Sequence, residues 1–85
     1  MVKTVLIADD NPFVRQAVRE LLMQELEVEV SEAQDGKEAI EKAEELQPDL
    51  IVLDLSMPAM NGLEAARVIK SSMPAVPLII YSSLR

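Results

Sequence analysis

The sequence contains no cysteine, no histidine and no tryptophan, and it has one tyrosine and one phenylalanine among its 85 residues. Without cysteine there are no disulfides and no thiolate metal sites. Without histidine the usual neutral-pH acid/base and the commonest transition-metal ligand are missing. Any metal held by this chain is therefore expected to be hard and oxygen-bound. Basic residues are scarce too: eight lysines and arginines stand against fifteen acids, a net charge of −7. That balance argues against direct nucleic-acid binding by this segment. No apolar run approaches the ~18 residues of a membrane span. Met1 to Ala8 leads straight into Asp9-Asp10 without a signal-peptide core or cleavage site. The chain reads as cytoplasmic, with no membrane partner.

What remains has a globular balance, 49% hydrophobic and 27% charged, with no repeat or low-complexity tract. The length allows one small domain, and chains of this size bury only about 60% of their unfolded surface. Glu41, Glu44 and Glu45 read as solvated surface.

Thr4 to Ala8 is a short β-branched and aliphatic run, stopped by Asp9-Asp10-Asn11-Pro12, and is expected to be a strand buried on both faces. Asn11 and Pro12 suit the cap and first turn of a helix whose inward stripe is Val14, Ala17, Val18, Leu21 and Leu22. Val28 to Ala33 alternates apolar and polar like an edge strand, which makes its glutamates poor site candidates. After the Asp35-Gly36 turn, Ala39, Ile40, Ala43 and Leu46 mark a second helix ended by Pro48. Leu50 to Leu53 is continuously apolar, as in a central parallel strand, and ends in Asp54. Asn61-Gly62 opens a third helix with Leu63, Ala66, Ile69 and Met73 inward, closed by Pro74. Leu78 to Tyr81 is a fourth strand, followed by Ser82-Ser83.

The order βαβαβαβ implies an α/β fold, a mostly parallel sheet with helices on both faces and ligands at the carboxyl ends of the strands. Asp9, Asp10, Asp54 and Ser82 all stand at such ends. If the first and third strands are neighbours, about 4.8 Å apart, the three aspartates converge. Crowded carboxylates repel, and a divalent cation is the simplest neutralising partner. Mg²⁺ fits, because it takes one or two carboxylates, keeps several waters and leaves a place for a phosphoryl oxygen. A carboxylate beside it can attack phosphorus, since phosphoryl transfer depends mainly on positioning and charge neutralisation. Taken singly, each residue has a plainer use: Asp10 as a cap, Asp54 as a strand end, Ser82 as a turn residue.

The segments VLIADDNP (residues 5–12) and PDLIVLDLSMPAMNGLE (residues 48–64) resemble the receiver domain of bacterial two-component response regulators. The resemblance runs through essentially the whole chain. It implies a flavodoxin-like doubly wound parallel sheet with strand order 2-1-3-4. It implies Asp54 as phosphoacceptor, Mg²⁺ bound by Asp10, Asp54 and the backbone carbonyl of Ser56 and by Asp9 largely through water, and Ser82 as the hydroxyl that turns toward the phosphoryl group. Met57-Pro58 and Gly62 resemble the loop shaping that pocket, while Met57, Met60 and Met73 are expected to pack rather than react. A sensor histidine kinase is the implied phosphodonor, and the domain is not an enzyme beyond its own phosphorylation and dephosphorylation. Asn11-Pro12 and the NGLEAAR run (residues 61–67) are also like receivers joined to helix-turn-helix domains.

Receivers continue into a fourth helix, a fifth strand bearing a lysine, and a fifth helix. None of Lys3, Lys37, Lys42 or Lys70 matches that lysine, so residues 1–85 are expected to be a partial receiver. The exposed fourth strand and uncovered sheet face would then favour self-association. The alternative is a receiver-like interaction or oligomerisation module that binds metal without signalling by phosphorylation. An aspartyl phosphatase is disfavoured, since an Asp-x-Asp pair would need Asp where Asn11 and Ser56 stand. A nucleotide or flavin site is disfavoured by the acidic first turn.

Overall fold

The computed structural model describes residues 3–82. Along them run β1 (Lys3–Ala8), α1 (Pro12–Glu25), β2 (Val28–Ala33), α2 (Gly36–Leu46), β3 (Leu50–Asp54), α3 (Gly62–Ser72) and β4 (Leu78–Tyr81). The strands form one all-parallel sheet in the order β2-β1-β3-β4. Both the alternation and the strand order match the expected flavodoxin-like arrangement.

The order decides where each helix lies. The chain steps from β1 to β2 in one direction across the sheet, then from β2 through β3 to β4 in the other. Right-handed crossovers therefore place α1 on one face and α2 and α3 on the opposite one. Packing agrees. Leu6 and Ala8 of β1 and Ile51 and Leu53 of β3 share a core with Ala39 and Ala43 of α2 and Ala65, Ala66 and Ile69 of α3. Val5 and Ile7, the alternate residues of β1, are also buried but point to the face that α1 covers.

Each helix starts as its cap dictates. The Asn11 side chain accepts the Phe13 N–H at 2.9 Å, Asp35 accepts that of Glu38 at 2.8 Å, and Asn61 accepts that of Glu64 at 3.0 Å. Gln47 closes α2 in the left-handed region, φ 49°, just before Pro48.

The inward stripes of all three helices differ in part from expectation. On α1, Val14, Val18 and Leu22 are half-buried, but Ala17 is exposed and Leu21 is 59% exposed. Among the described residues α1 is the one helix on its face, so nothing shields its flanks. On α3 the inward stripe is Gly62, Ala65, Ala66 and Ile69, spaced i, i+3, i+4, i+7. Leu63 lies about 100° round the helix from Gly62 and faces solvent, 53% exposed. On α2, Ala39 and Ala43 are buried as expected, whereas Leu46 in the last turn stays open.

Candidate functional site

The site is assembled by strand ends. Asp9 lies just past β1, yet its backbone N–H still pairs with the Ala33 carbonyl at 3.1 Å, so the sheet register holds it in place. Its side chain is completely buried. One carboxylate oxygen, Oδ1, accepts the Asn11 N–H at 2.8 Å, and the other, Oδ2, accepts the Tyr81 hydroxyl. Asp10 follows, half-buried. Asp54 is the last residue of β3 and pairs across the sheet with Tyr81. It too is completely buried, and its Oδ1 accepts the Ser56 N–H at 3.2 Å. The pairing continues one residue further, Leu55 N–H donating to the Tyr81 carbonyl at 2.7 Å. Because β1 and β3 are neighbours, Asp9, Asp10 and Asp54 each bring a carboxylate oxygen within 4.8 Å of the other two.

The plainer uses of these acids are partly realised alongside. Asp9 and Asp54 each tie the backbone two residues on, a turn habit of aspartate. Asn11, rather than Asp10, caps α1. A carboxylate oxygen has two lone pairs, so accepting one of these hydrogen bonds does not by itself bar it from a cation.

The loop from Leu55 to Asn61 closes on the site. The Gly62 N–H returns to the Leu55 carbonyl at 3.0 Å. A Cβ on Gly62 would come within 2.4 Å of the Asp54 carbonyl oxygen, so this glycine is required by close approach and not by a positive φ. Ala59, in contrast, sits at φ 66° in a tight turn where the Met60 N–H donates to the Pro58 carbonyl at 2.7 Å. Met57 is buried in the core, and Met60 and Met73 pack against it, as expected. The start of α2 also abuts this loop, since a Cβ on Gly36 would stand 2.6 Å from the Met60 carbonyl oxygen.

Ser82 follows Tyr81 at the end of β4 and is exposed. Ser56 is exposed in the loop after β3. Ser83 and Arg85 lie outside the described residues.

Two residues with a part in the site escaped the sequence reading. Tyr81 donates its hydroxyl to Asp9. Arg15 spans from the Asp9 carbonyl, 2.6 Å from Nη1, to Glu32 Oε1, 3.0 Å from Nε. Arg19, one turn along α1, donates to Glu32 Oε2 at 2.9 Å. The Arg19 hydrogen bond, with that of Arg15 and the charges of both, holds the Glu32 carboxyl below its ordinary value against a smaller opposing effect of burial. Glu32 thus anchors two arginines and stays out of the acidic cluster, as its edge-strand position suggested. The i, i+4 spacing of Arg15 and Arg19 was the available signal for this clamp.

The donor set is all carboxylate, which suits a hard cation. Octahedral ligands about 2.1 Å from a central ion stand roughly 3–4 Å apart, so oxygens within 4.8 Å need only a small closing movement to share one. The residues present therefore fit Mg²⁺.

Against known proteins, residues 5–85 match the family model described as the response regulator receiver domain. A protein-glutamate methylesterase/protein-glutamine glutaminase of Methanosarcina acetivorans is 44% identical over 80 residues, covering 93% of this chain and 23% of that protein. The chain thus spans less than a quarter of that relative's length. The response regulator domain of Thermotoga maritima CheB superposes with a TM-score of 0.87 at 40% identity, covering 99% of this chain and 63% of that one. CheY in the CheX–CheY–BeF₃–Mg²⁺ complex of Borrelia burgdorferi superposes with a TM-score of 0.90 at 28% identity, covering 96% and 63%. With a sheet of the expected order, acids at its strand ends and a family match along nearly its full length, this chain belongs to the response regulator receiver domains, the signalling modules of two-component systems.

Proposed function

We propose that Asp54 is the phosphoacceptor of this receiver. The observation that carries the reading is the burial of Asp54 at the end of β3, with its carboxylate within 4.8 Å of those of Asp9 and Asp10. A carboxylate oxygen of Asp54 attacks phosphorus of a phosphohistidine on a sensor kinase, the P–N bond breaks, and an aspartyl phosphate forms while the histidine regains its proton. Asp10, Asp54 and the Ser56 carbonyl would hold Mg²⁺ directly and Asp9 largely through water, and the ion when bound would offset the charge gathered among the aspartates and the incoming phosphoryl oxygens. Ser82 offers a hydroxyl donor from the adjacent strand end. The Borrelia CheY relative, solved with Mg²⁺ and BeF₃, a phosphoryl mimic, supports this assignment. Incubation with acetyl phosphate tests it: the chain gains one phosphoryl group by intact-mass spectrometry and Asp54→Ala gains none. Label retained by Asp54→Ala would sink the assignment.

By itself the domain acts on no substrate other than its own phosphoryl group, and its setting is the cytoplasm, where a kinase can reach it. No helix among the described residues is long and apolar enough to cross a membrane. The output it controls belongs to the whole protein. The match to the Methanosarcina methylesterase/glutaminase supports a catalytic output of that kind over the DNA-binding one suggested by the Asn11-Pro12 turn.

Self-association through β4 is a second part of the proposal. Ile79 is 53% exposed and Ile80 36% exposed on this edge strand, and Phe13 and Leu21 are exposed on α1. Unpaired strand edges and exposed apolar side chains favour such contacts.

A further inference from the structure

Asp9 is a completely buried carboxylate, and such a group is costly unless donors meet it. Its two oxygens receive donors of different kinds. The Asn11 N–H on Oδ1 comes from the same loop, two residues away. The Tyr81 hydroxyl on Oδ2 comes from β4, 72 residues along the chain and on the far side of β3. Tyr81 pairs opposite Asp54, so its side chain reaches across the end of β3 to Asp9. The local donor belongs to the same turn as Asp9 itself. The distant one occupies a position on Asp9 that a water in the shell of a bound cation would need, since Mg²⁺ keeps several of its waters and those waters donate to surrounding carboxylates.

We infer that Tyr81 is a positioning residue of the acidic cluster, its hydroxyl standing in at Asp9 for the hydration shell of a divalent cation and giving way when the cation enters. The inference rests on the metal site proposed above. It assigns Tyr81 two effects. Its hydroxyl stabilises the metal-free cluster, so it opposes cation binding. Its release frees the end of β4, where the next residue is Ser82, so occupancy of the cluster is communicated to the strand that presents this hydroxyl.

Tyr81 is the sole tyrosine and there is no tryptophan, so tyrosine emission of the chain reports on this side chain alone. A phenol bonded to a carboxylate is quenched, and its release brightens it. Titration with MgCl₂, followed by emission and by calorimetry, is expected to give a saturable rise whose midpoint equals the calorimetric Kd. Tyr81→Phe, which keeps the ring and removes the donor, is expected to bind Mg²⁺ about tenfold tighter. Its melting temperature should lie below that of the parent without Mg²⁺ and rise more when Mg²⁺ is added. Unchanged emission at saturating Mg²⁺, or equal or weaker binding by Tyr81→Phe, overturns the role of Tyr81 and leaves the metal site standing. The emission arm uses the unaltered chain and so holds even if the variant folds poorly. Absence of Mg²⁺ uptake by the parent, folded by circular dichroism, overturns the metal site and this inference together.

Discussion

Gly62 lies so close to Asp54 that a single added methyl group would stand 2.4 Å from the Asp54 carbonyl oxygen and 3.0 Å from its carbonyl carbon. The obstacle is backbone, which cannot swing aside as a flexible side chain would. Gly62→Ala is therefore expected to shift the end of β3 and cost about 1–3 kcal/mol, or some 4–8 °C of melting temperature per kcal/mol in a domain of this size. Thermal unfolding measures the loss. Phosphorylation by acetyl phosphate should fall with it, because the displaced atoms belong to the residue carrying the acceptor carboxylate. A variant as stable and as readily labelled as the parent would contradict the packing.

The two arginines of α1 should differ. Arg15 has a side chain 17% exposed and holds both Glu32 and the Asp9 carbonyl, whereas Arg19, 44% exposed, holds Glu32 alone. Exposed ion pairs contribute about 0–1 kcal/mol, and bonds from charged donors to buried partners about 1.5–3 kcal/mol. Arg15→Ala is expected to destabilise by about 1–2 kcal/mol and Arg19→Ala by less than about 1 kcal/mol. Urea unfolding of both variants gives the ranking, and the reverse order would show that the Asp9 contact contributes little.

The same clamp predicts a pH dependence. Arg19 and Arg15 hold the Glu32 carboxyl below its ordinary value of 4.5, so the folded chain takes up this proton less readily than the unfolded one. The stabilisation is fully present above that ordinary value and is lost as pH falls through the lowered folded value. Glu32→Gln should reduce stability at neutral pH by about 1 kcal/mol and flatten the acid side of the stability curve in that window. Chemical denaturation at a series of pH values between neutral and strongly acidic checks both parts; an unchanged acid slope would remove Glu32 as its source.

Association through the β4 edge is expected to depend on Ile79. Replacing it with a charged residue, Ile79→Lys, places a charge on the strand edge while leaving the buried core untouched, since Ile79 is 53% exposed. Light scattering of the parent should show a mass that rises with concentration, and the variant should remain monomeric over the same range. A parent that stays monomeric at high concentration ends the proposal.

The sequence made the sheet and the acid cluster readable for a definite reason. Leu50 to Leu53 is too short and too apolar to be anything other than a buried strand, and its place after two βα units sets Asp54 beside Asp9 and Asp10 once the strand order is known. The caps at Asn11, Asp35 and Asn61 were similarly local. Burial of α1 was not: periodicity tells which side of Val14, Val18 and Leu22 faces the sheet, but not how much shelter neighbouring helices provide for Ala17 and Leu21. Leu63 misled because it shares helical spacing with Ala66, Ile69 and Met73, whereas the buried stripe runs through Gly62, Ala65, Ala66 and Ile69. Tyr81 and Arg15 were missed because each acts across the fold. Tyr81 closes an apolar run and looks like strand packing, and only the register that sets it opposite Asp54 brings its hydroxyl to Asp9.

The parallel pairing of β1 with β3 also has a kinetic meaning. Thr4 and Asp49, bonded at the foot of these strands, are separated by 45 residues, and contacts of such long range are slow to form because the entropy of closing the loop is paid before the contact rewards it. The carboxylates of Asp9 and Asp54 therefore meet only once the pairing of β1 with β3 closes the long loop that contains α1, β2 and α2. During synthesis or refolding, competence to bind Mg²⁺ should appear with the final consolidation of the sheet, which makes the cation a reporter of completed folding.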